Sequence, residues 1–212
     1  MRLSSMILFA SVGALLLAES QPGAPGQRIE VRTTNSLVEI AGSDSDRVQV
    51  NDSSHATVNN SDGGVVVEGD GAGGNAPLKL QVPRRSTLDV FTANGAIHVS
   101  GVAGAMRLRT SNGAIIVQNA GAAEIHAHTS NGSIELAVPG GLNANLSART
   151  SNGRIHVDME VVAHRIGANF LEGKIGSGGP EIDLQTSNGS IYLKSDSQQE
   201  SVSSTFRPGE VK

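Results

Sequence analysis

Cysteine and tryptophan are absent from this chain of 212 residues, and aromatic residues make up only 2% of it. Without cysteine, thiol catalysis, disulfide bonds and cysteine-ligated zinc are excluded. The scarcity of aromatic rings removes the stacking platforms that bind single-stranded nucleic acids. A basic excess is also missing, since 16 basic and 20 acidic residues give a net charge of −4. We therefore expect no nucleic-acid partner and a core of aliphatic side chains.

Long hydrophobic runs are missing except at the N-terminus. Residues 6–18 are apolar with two exceptions and follow Arg2, and the small residues Ala18 and Ser20 occupy the positions that a signal peptidase requires before its cleavage site. This order is typical of a cleaved secretory signal peptide, here residues 1–20. Its apolar run would span about 20 Å as a helix, whereas the hydrocarbon core of a bilayer is about 30 Å thick. We expect an exported protein (periplasmic, cell-surface or extracellular) with no transmembrane segment after cleavage. An uncleaved N-terminal anchor is the alternative.

One short unit recurs through most of the remaining chain. Its centre is the tetrapeptide Thr-x-Asn-Gly, and on both sides aliphatic residues alternate with variable ones. Alternation of this kind predicts β-strands with one buried face. The complete copies carry their turn residues at Asn94 and Gly95, Asn112 and Gly113, Asn131 and Gly132, Asn152 and Gly153, and Asn188 and Gly189.

Degenerate copies extend the array at Ser36, Gly63 and Gly173, so eight copies follow one another with a period near 19 residues. A repeat of this length with two strands predicts one coil of a solenoid, because each unit can bury its apolar face only on its neighbours. The predicted fold class is all-β, a parallel β-solenoid (β-helix-like) of about eight coils stacked in chain order. The repeat domain covers residues 21–194, with regular coils at about 86–194, and residues 195–212 form a polar tail.

The Asn-Gly pairs are interpreted as structural turns rather than as an active site. Both residue types tolerate positive φ, so we expect Gly113 and Gly132 to adopt it. Stacked turns would place the asparagines in a column whose side-chain amides bond from coil to coil. The threonines would form one inward column, whereas an ice-binding face needs paired outward columns.

Residues 78–141 carry a more specific pattern. A strand that ends in Pro83 precedes iterated Thr-x-Asn-Gly-x-Ile-x-Val units, and residues 29–40 are similar to an opening strand. This arrangement resembles the putative-adhesin family of bacterial β-strand-repeat domains, also called toastrack domains, over about residues 27–195. The resemblance implies a β-helix-like domain on a bacterial envelope protein, with a role in adhesion or in envelope-stress signalling. It brings no catalytic residue.

The repeat lacks the residue arrangements that catalysis usually requires. Enzymes that cleave acidic polysaccharides need paired carboxylates or a carboxylate-bound cation. Sequential stacking would give one outward row without neighbouring carboxylates, composed of Asp89, Arg107, His126, Ser147 and Asp183. The histidines would lie beside arginines, which repel metal cations. We expect no enzymatic activity, no metal and no cofactor.

The outward positions suggest binding instead. Sequential stacking would gather five basic side chains on one sheet, which we call the cationic strip: Arg107, Arg109, His126, His128 and Arg149. Arginine forks at the ~4.8 Å spacing of strands suit carboxylates or phosphates repeated along a polymer. We expect a secreted, non-enzymatic, adhesin-like binding or scaffold module of the cell envelope, with an anionic glycan or lipid head group as ligand. The alternative is an envelope-stress or signalling accessory domain recognised by a protein partner.

Overall fold

The computed structural model describes residues 21–22, 26–51, 56–61, 64–69 and 77–196. The expected signal peptide at residues 1–20 lies outside the described residues. Of the expected tail at residues 195–212, residues 195–196 end a strand, and the remainder lies outside the described residues. The described part of the chain is all-β, with nineteen strands in two mostly parallel sheets. Within these residues, no helix is long and apolar enough to cross a membrane.

The strands are short because turns and bends interrupt the chain every few residues. Most of them alternate buried and exposed side chains, so each has one face toward the core. In chain order they are β1 (Gln21–Pro22), β2 (Arg28–Thr33), β3 (Val38–Ser43), β4 (Arg47–Asn51), β5 (Ala56–Ser61), β6 (Gly64–Gly69), β7 (Leu78–Pro83), β8 (Thr87–Thr92), β9 (Ile97–Ser100), β10 (Met106–Asn112), β11 (Ile115–Gln118), β12 (Ile125–Asn131), β13 (Ile134–Pro139), β14 (Ala144–Asn152), β15 (Ile155–Asp158), β16 (Val162–Ile166), β17 (Phe170–Ile175), β18 (Glu181–Asn188) and β19 (Ile191–Asp196).

The two sheets face each other across the core. The first sheet has the order β5-β6-β2-β8-β10-β12-β18-β14-β17-β16, and the second has the order β1-β4-β7-β3-β9-β11-β13-β19-β15. Neighbours are parallel from β6 to β14 and from β7 to β15. Antiparallel strands complete the ends: β5, β17 and β16 in the first sheet, and β4 and β1 in the second.

A repeat unit consists of a strand of the first sheet, a turn, and the next strand, which belongs to the second sheet. Six units with described turns stack in the order β2–β3, β8–β9, β10–β11, β12–β13, β18–β19 and β14–β15. Equal positions of neighbouring units lie opposite each other, as Thr110 lies opposite both Thr92 and Thr129.

The stacking order differs from the chain order, contrary to the expectation of sequential coils. The β18–β19 unit lies between β12–β13 and β14–β15, and β6 lies outside β2. The alternation determines which side chains face the core, but nearly identical units can replace one another as neighbours. After β15, the chain forms β16 and β17 on the outer edge of β14 and then returns as β18 between β12 and β14.

Two degenerate copies do not form turns between the sheets. Residues 65–67 belong to β6 and pair with β2 in the first sheet, whereas a strand after a turn would lie in the second. Phe170–Ile175 is one uninterrupted strand that is antiparallel to β14. Gly63 lies outside the described residues, and Gly173 is inside β17, where a Cβ would meet the Val162 carbonyl. A glycine inside a strand commonly marks such a close backbone approach.

The core is aliphatic, as the composition predicts. Fully buried side chains include Leu88, Leu108, Ile125, Ile134 and Leu136. Burying each of them contributes about 1.5–3 kcal/mol relative to leaving it exposed. The outer face of the first sheet therefore lies over a continuous buried core.

Candidate functional site

The turns of the six units stack into a continuous column of asparagine side chains. Five hydrogen bonds of 2.7–2.9 Å link them, each from the amide nitrogen of one asparagine to the side-chain oxygen of the next. The order in space is Asn35, Asn94, Asn112, Asn131, Asn188 and Asn152. The column includes Asn35 from a degenerate copy, and it ties neighbouring units together at the turn edge.

The turn glycines do not adopt positive φ, so that expectation is wrong. Among the described residues, positive φ in glycine occurs at Gly26, Gly101, Gly141, Gly176 and Gly178. Gly113 is needed for a different reason, because a Cβ there would overlap the carbonyl oxygen of Gly95 in the adjacent unit. Gly132 stands in the same relation to Gly113. The glycines therefore permit close stacking of the turns rather than a special backbone conformation.

The turn threonines point inward and are buried. Thr129 Oγ1 donates to the carbonyl oxygen of Gly113 at 2.9 Å. The equivalent bond is made by Thr110, Thr150 and Thr186. The buried hydroxyl of Thr92 has no hydrogen-bond partner within the described part of the chain. This single buried column does not provide the paired outward columns of an ice-binding face.

The cationic strip is divided between two rows on the outer face of the first sheet. The row next to the turns, which we call the groove row, contains in spatial order Phe91, Arg109, His128, Gln185, Arg149 and Phe170. The other row, which we call the distal row, contains Asp89, Arg107, His126, Asp183, Ser147 and Glu172. The structure thus brings Arg109 beside His128 and Arg107 beside His126. Arg149 is separated from His128 by Gln185.

Asp183 interrupts the positive charge of the distal row, where sequential stacking would place Ser147 beside His126. His128 Nε2 lies 3.2 Å from Asp183 Oδ2, and His126 Nδ1 lies 3.9 Å from the same oxygen. His126 Nε2 also contacts the carboxylate of Glu124. Both histidines are therefore engaged by carboxylates, and the predicted strip is not uniformly cationic.

The environment of Asp183 favours its ionised form. Burial raises the pKa of its carboxyl, but hydrogen bonds from Gln185 and His128 outweigh this effect, and the pKa is lowered overall. Gln185 Nε2 lies 3.1 Å from Oδ1 and 2.9 Å from Oδ2 of the carboxylate. A fixed negative charge therefore occupies the middle of the face.

At one end of the face, two arginines share one carboxylate. Arg149 Nη2 donates to Glu172 Oε1, and Arg165 Nη1 donates to Glu172 Oε2 at 3.0 Å. The hydrogen bond from Arg149 is the main reason why the pKa of Glu172 is lowered. The Arg165 guanidinium also lies over the Phe170 ring, 5.5 Å from its centroid. Two cations against one anion leave this end positive.

The groove row forms the floor of an open groove of about 890 Å³. The groove crosses the strands from β8 at one end to β17 and β16 at the other. Serines of the turns line one side: Ser111, Ser130, Ser151 and Ser187. Arg109 is exposed and makes no ion pair with any described residue. Arg107 and His126 lie outside the groove, beside a smaller pocket of about 120 Å³.

Three carboxylates of this sheet, those of Glu30, Asp89 and Glu172, are paired with arginines. Glu30 lies beside Asp89, so neighbouring carboxylates do occur, contrary to the expectation from the sequence. Glu30 pairs with Arg32, and Asp89 pairs with Arg28. Across the described ranges, no group of His, Asp and Glu side chains has the arrangement of a metal site. Charge and hydrogen bonding toward an anionic ligand are the chemistry that this face offers.

Sequence reasoning missed the residues that close one end of the groove: Arg165, Phe170 and Glu172. They lie on β16 and β17, which form an antiparallel pair without the repeat signature. The sequence does contain a signal for this end of the groove. Phe170, Glu172 and Lys174 occupy every second position, and side chains at every second position lie on one face of a strand.

Two mostly parallel sheets joined by stacked turns define a repetitive all-β domain with a polar surface groove. Residues 77–194, more than half of the chain, match the family described as Toastrack DUF4097, and the chain belongs to this family. The family resemblance drawn from the sequence is therefore confirmed.

One solved structure shows a similar fold. A crystal structure from Clostridium sporogenes, described as a putative cell adhesion protein, is 11% identical with a TM-score of 0.55, covering 84% of this chain and 99% of that chain. A putative adhesin from Bacteroides fragilis is also 11% identical, with a TM-score of 0.42 and coverage of 84% and 96%. No curated protein matches the chain significantly. At this identity, the Clostridium structure supports the fold alone.

Proposed function

We propose that this protein is an exported, non-enzymatic, adhesin-like binding module of the bacterial envelope, and that its groove holds an acidic glycan or another anionic surface polymer. The proposal rests on the groove row, because Arg109 and Arg149 are exposed and the row contains no acidic side chain. The Glu172 carboxylate that pairs with Arg149 is shared with Arg165, so positive charge is in excess there. The description of the Clostridium structure as a cell adhesion protein agrees with a binding role.

Several exposed arginines can act together on a polymer. A single exposed ion pair contributes only about 0–1 kcal/mol. A chain that lies along the groove contacts both positive ends at once, so the second contact gains from a high effective concentration. Because all these groups are exposed, added salt should weaken binding.

Calorimetry with hyaluronan, a polysaccharide with a carboxylate on every second sugar, tests this function. At low salt we expect binding by the wild-type protein and loss of binding by the double variant Arg109→Ser/Arg149→Ser. The control Lys79→Ser/Lys194→Ser removes the same charge from the second sheet and should bind like the wild type. No binding at low salt, or equal binding by both double variants, would refute the proposal.

Export is the part of the proposal that rests on residues 1–20. Protein recovered outside the cytoplasm should begin near Glu19 or Gln21. N-terminal sequencing checks this. Met1 on the exported protein would favour the uncleaved anchor.

The second candidate function is recognition by a protein partner, in an envelope-stress or signalling role. It is favoured by β16, in which all five residues are exposed. Val162 is 65% exposed and Ile166 is 74% exposed. Among the described strands β16 is the last of its sheet, and apolar side chains on an edge strand suit association with another protein. Pull-downs from envelope extracts with the wild type and with Val162→Lys/Ile166→Lys test it. Specific capture that is lost in this variant, without hyaluronan binding, would favour the partner.

A further inference from the structure

The groove row has the same two residue types at both of its ends. Phe91 and Arg109 occupy one end, while Phe170 and Arg149 occupy the other. In each pair, the phenylalanine lies one strand further from the centre than the arginine. The chain order hides this symmetry, because Gln185 follows Phe170 in the sequence but lies between the two arginines in space.

The spacing of the strands sets the separations along the row. Arg109 and Arg149 are three strand spacings apart, which is about 14 Å. The two phenylalanines are five spacings apart, which is about 24 Å. The groove is continuous from Phe91 to Phe170. One ligand that lies along the stacking axis, across the strands, can therefore reach both ends.

Each end combines an aromatic ring with a guanidinium group. Phe91 is 48% exposed, which is unusual for a residue type that is normally buried. Phe170 is half-buried and lies beneath Arg165. A ring beside an arginine can pack against an apolar face of a ligand residue while the guanidinium binds an anionic group on it.

The centre of the groove, unlike its ends, disfavours an anionic group of the ligand. Gln185 and His128 of the groove row contact Asp183, whose carboxylate would repel a ligand anion placed over the centre. The exposed hydroxyls of Ser130 and Ser187 lie on the turn side of the same stretch. Neutral polar groups of a ligand fit there, and its charged groups fit at the ends.

We propose that the groove contains two subsites of the same residue types, Phe91–Arg109 and Phe170–Arg149, which bind two anionic groups of one linear chain about 14 Å apart. At the second subsite, Arg165 shares the Glu172 carboxylate with Arg149, so that end keeps an excess positive charge. This inference rests on the proposed function and specifies its ligand. The acidic groups are sparse along the chain rather than present on every residue. Carboxylates and phosphates share the chemistry that the arginine forks recognise.

Polyproline peptides that carry two glutamates can measure the spacing, because this helix rises about 3.1 Å per residue. Separations of one, five and nine residues place the glutamates about 3, 15 and 28 Å apart. NMR titration of the ¹⁵N-labelled protein at low salt gives the Kd of each peptide. It also follows the side-chain Nε–H signals of Arg109 and Arg149. The same peptides with phosphoserine distinguish a phosphate-bearing chain from a carboxylate-bearing one.

In the glutamate series, the phosphoserine series or both, we expect the peptide with the five-residue separation to bind at least about fivefold more tightly than the other two peptides, because it can contact both subsites at once. That peptide should shift the signals of both arginines together. Equal affinities for all spacings would overturn the two-subsite arrangement. In that case the proposed function would still stand if hyaluronan bound through Arg109 and Arg149. Failure of the two-subsite arrangement is therefore distinguishable from failure of the proposed function.

Substitution of Phe91 and Phe170 tests whether the aromatic rings contribute to binding. Phe91→Ala and Phe170→Leu should each weaken binding of the five-residue peptide several-fold, and leucine keeps apolar packing at the half-buried position. Tyr192→Ala, an exposed aromatic on the second sheet, is the control and should bind like the wild type. Thermal unfolding verifies that each variant is folded. Unchanged binding by both phenylalanine variants would overturn the subsites.

Discussion

Nε2 of His128 lies 3.2 Å from Oδ2 of Asp183, although 55 positions separate the two residues in the chain. The contact exists because β18 stacks directly on β12. It places a carboxylate in the middle of a face that chain order alone would make cationic. The candidate binding surface therefore has two positive ends and an acidic centre.

Acidification should destabilise the fold through Asp183. The pKa of its carboxyl is lowered from an ordinary value of 3.8, so the folded state favours the ionised form more strongly than the unfolded state does. This stabilisation is present above pH 3.8 and is lost as the pH falls through the lower, folded-state pKa. Asp183→Asn should therefore show a weaker dependence of unfolding free energy on pH below about pH 4.

Urea unfolding at a series of pH values measures this effect. Glu181→Gln, which removes an exposed carboxylate from the same strand, is the matched control and should retain the wild-type dependence. If Asp183→Asn followed the wild-type profile throughout, the hydrogen bonds to this carboxylate would not contribute to stability.

Gly113→Ala should destabilise the protein. The new Cβ would overlap the Gly95 carbonyl oxygen, so the turns must separate, at a cost of about 1–3 kcal/mol. At Gly140, by contrast, the nearest atom to a new Cβ is Ser195 Oγ at 3.7 Å. We expect a lower urea midpoint for Gly113→Ala and an almost unchanged one for Gly140→Ala. Equal midpoints would show that the turns do not stack so closely.

Thr129→Val should also destabilise the protein, because it removes the donor to the Gly113 carbonyl while keeping the shape of the side chain. A hydrogen bond of this kind contributes about 1 kcal/mol. Thr92→Val is the matched control, since the buried Thr92 hydroxyl has no partner among the described residues. That variant should be neutral or more stable. Chemical denaturation of both proteins checks the difference, and equal losses would contradict the role assigned to the hydroxyl.

Much of the fold could be predicted from the sequence, because the alternation around each turn is regular. Leu108 and Ile115, on either side of the turn at Gly113, are both fully buried. The antiparallel strand β16 could not be predicted in this way. All of its residues are exposed, so it has no buried face to impose an alternating pattern.

The order of the units could not be predicted, because units with the same turn and the same core residues are equivalent as neighbours. Asn188 donates to Asn131 at 2.8 Å, and Asn152 donates to Asn188 at 2.9 Å, so the bonds on both sides of the displaced unit are alike. Arg109 does lie beside His128, since their units are adjacent both in the chain and in space. Asp183 and Gln185 belong to the displaced unit, and the composition of the site therefore depends on the stacking order.

Engineered disulfides can test this order directly, because the chain contains no natural cysteine. Glu135 of β13 lies opposite Tyr192 of β19, and His156 of β15 lies on the far side of Tyr192. Neighbouring Cα atoms are about 4.8 Å apart, within the range that a disulfide spans, whereas two spacings of about 10 Å exceed it. Glu135→Cys/Tyr192→Cys should therefore cross-link under mild oxidation, and Glu135→Cys/His156→Cys should stay reduced. Mass spectrometry of proteolytic fragments distinguishes the two. If only the second pair cross-linked, the units would stack in chain order, and Gln185 would no longer lie between Arg109 and Arg149.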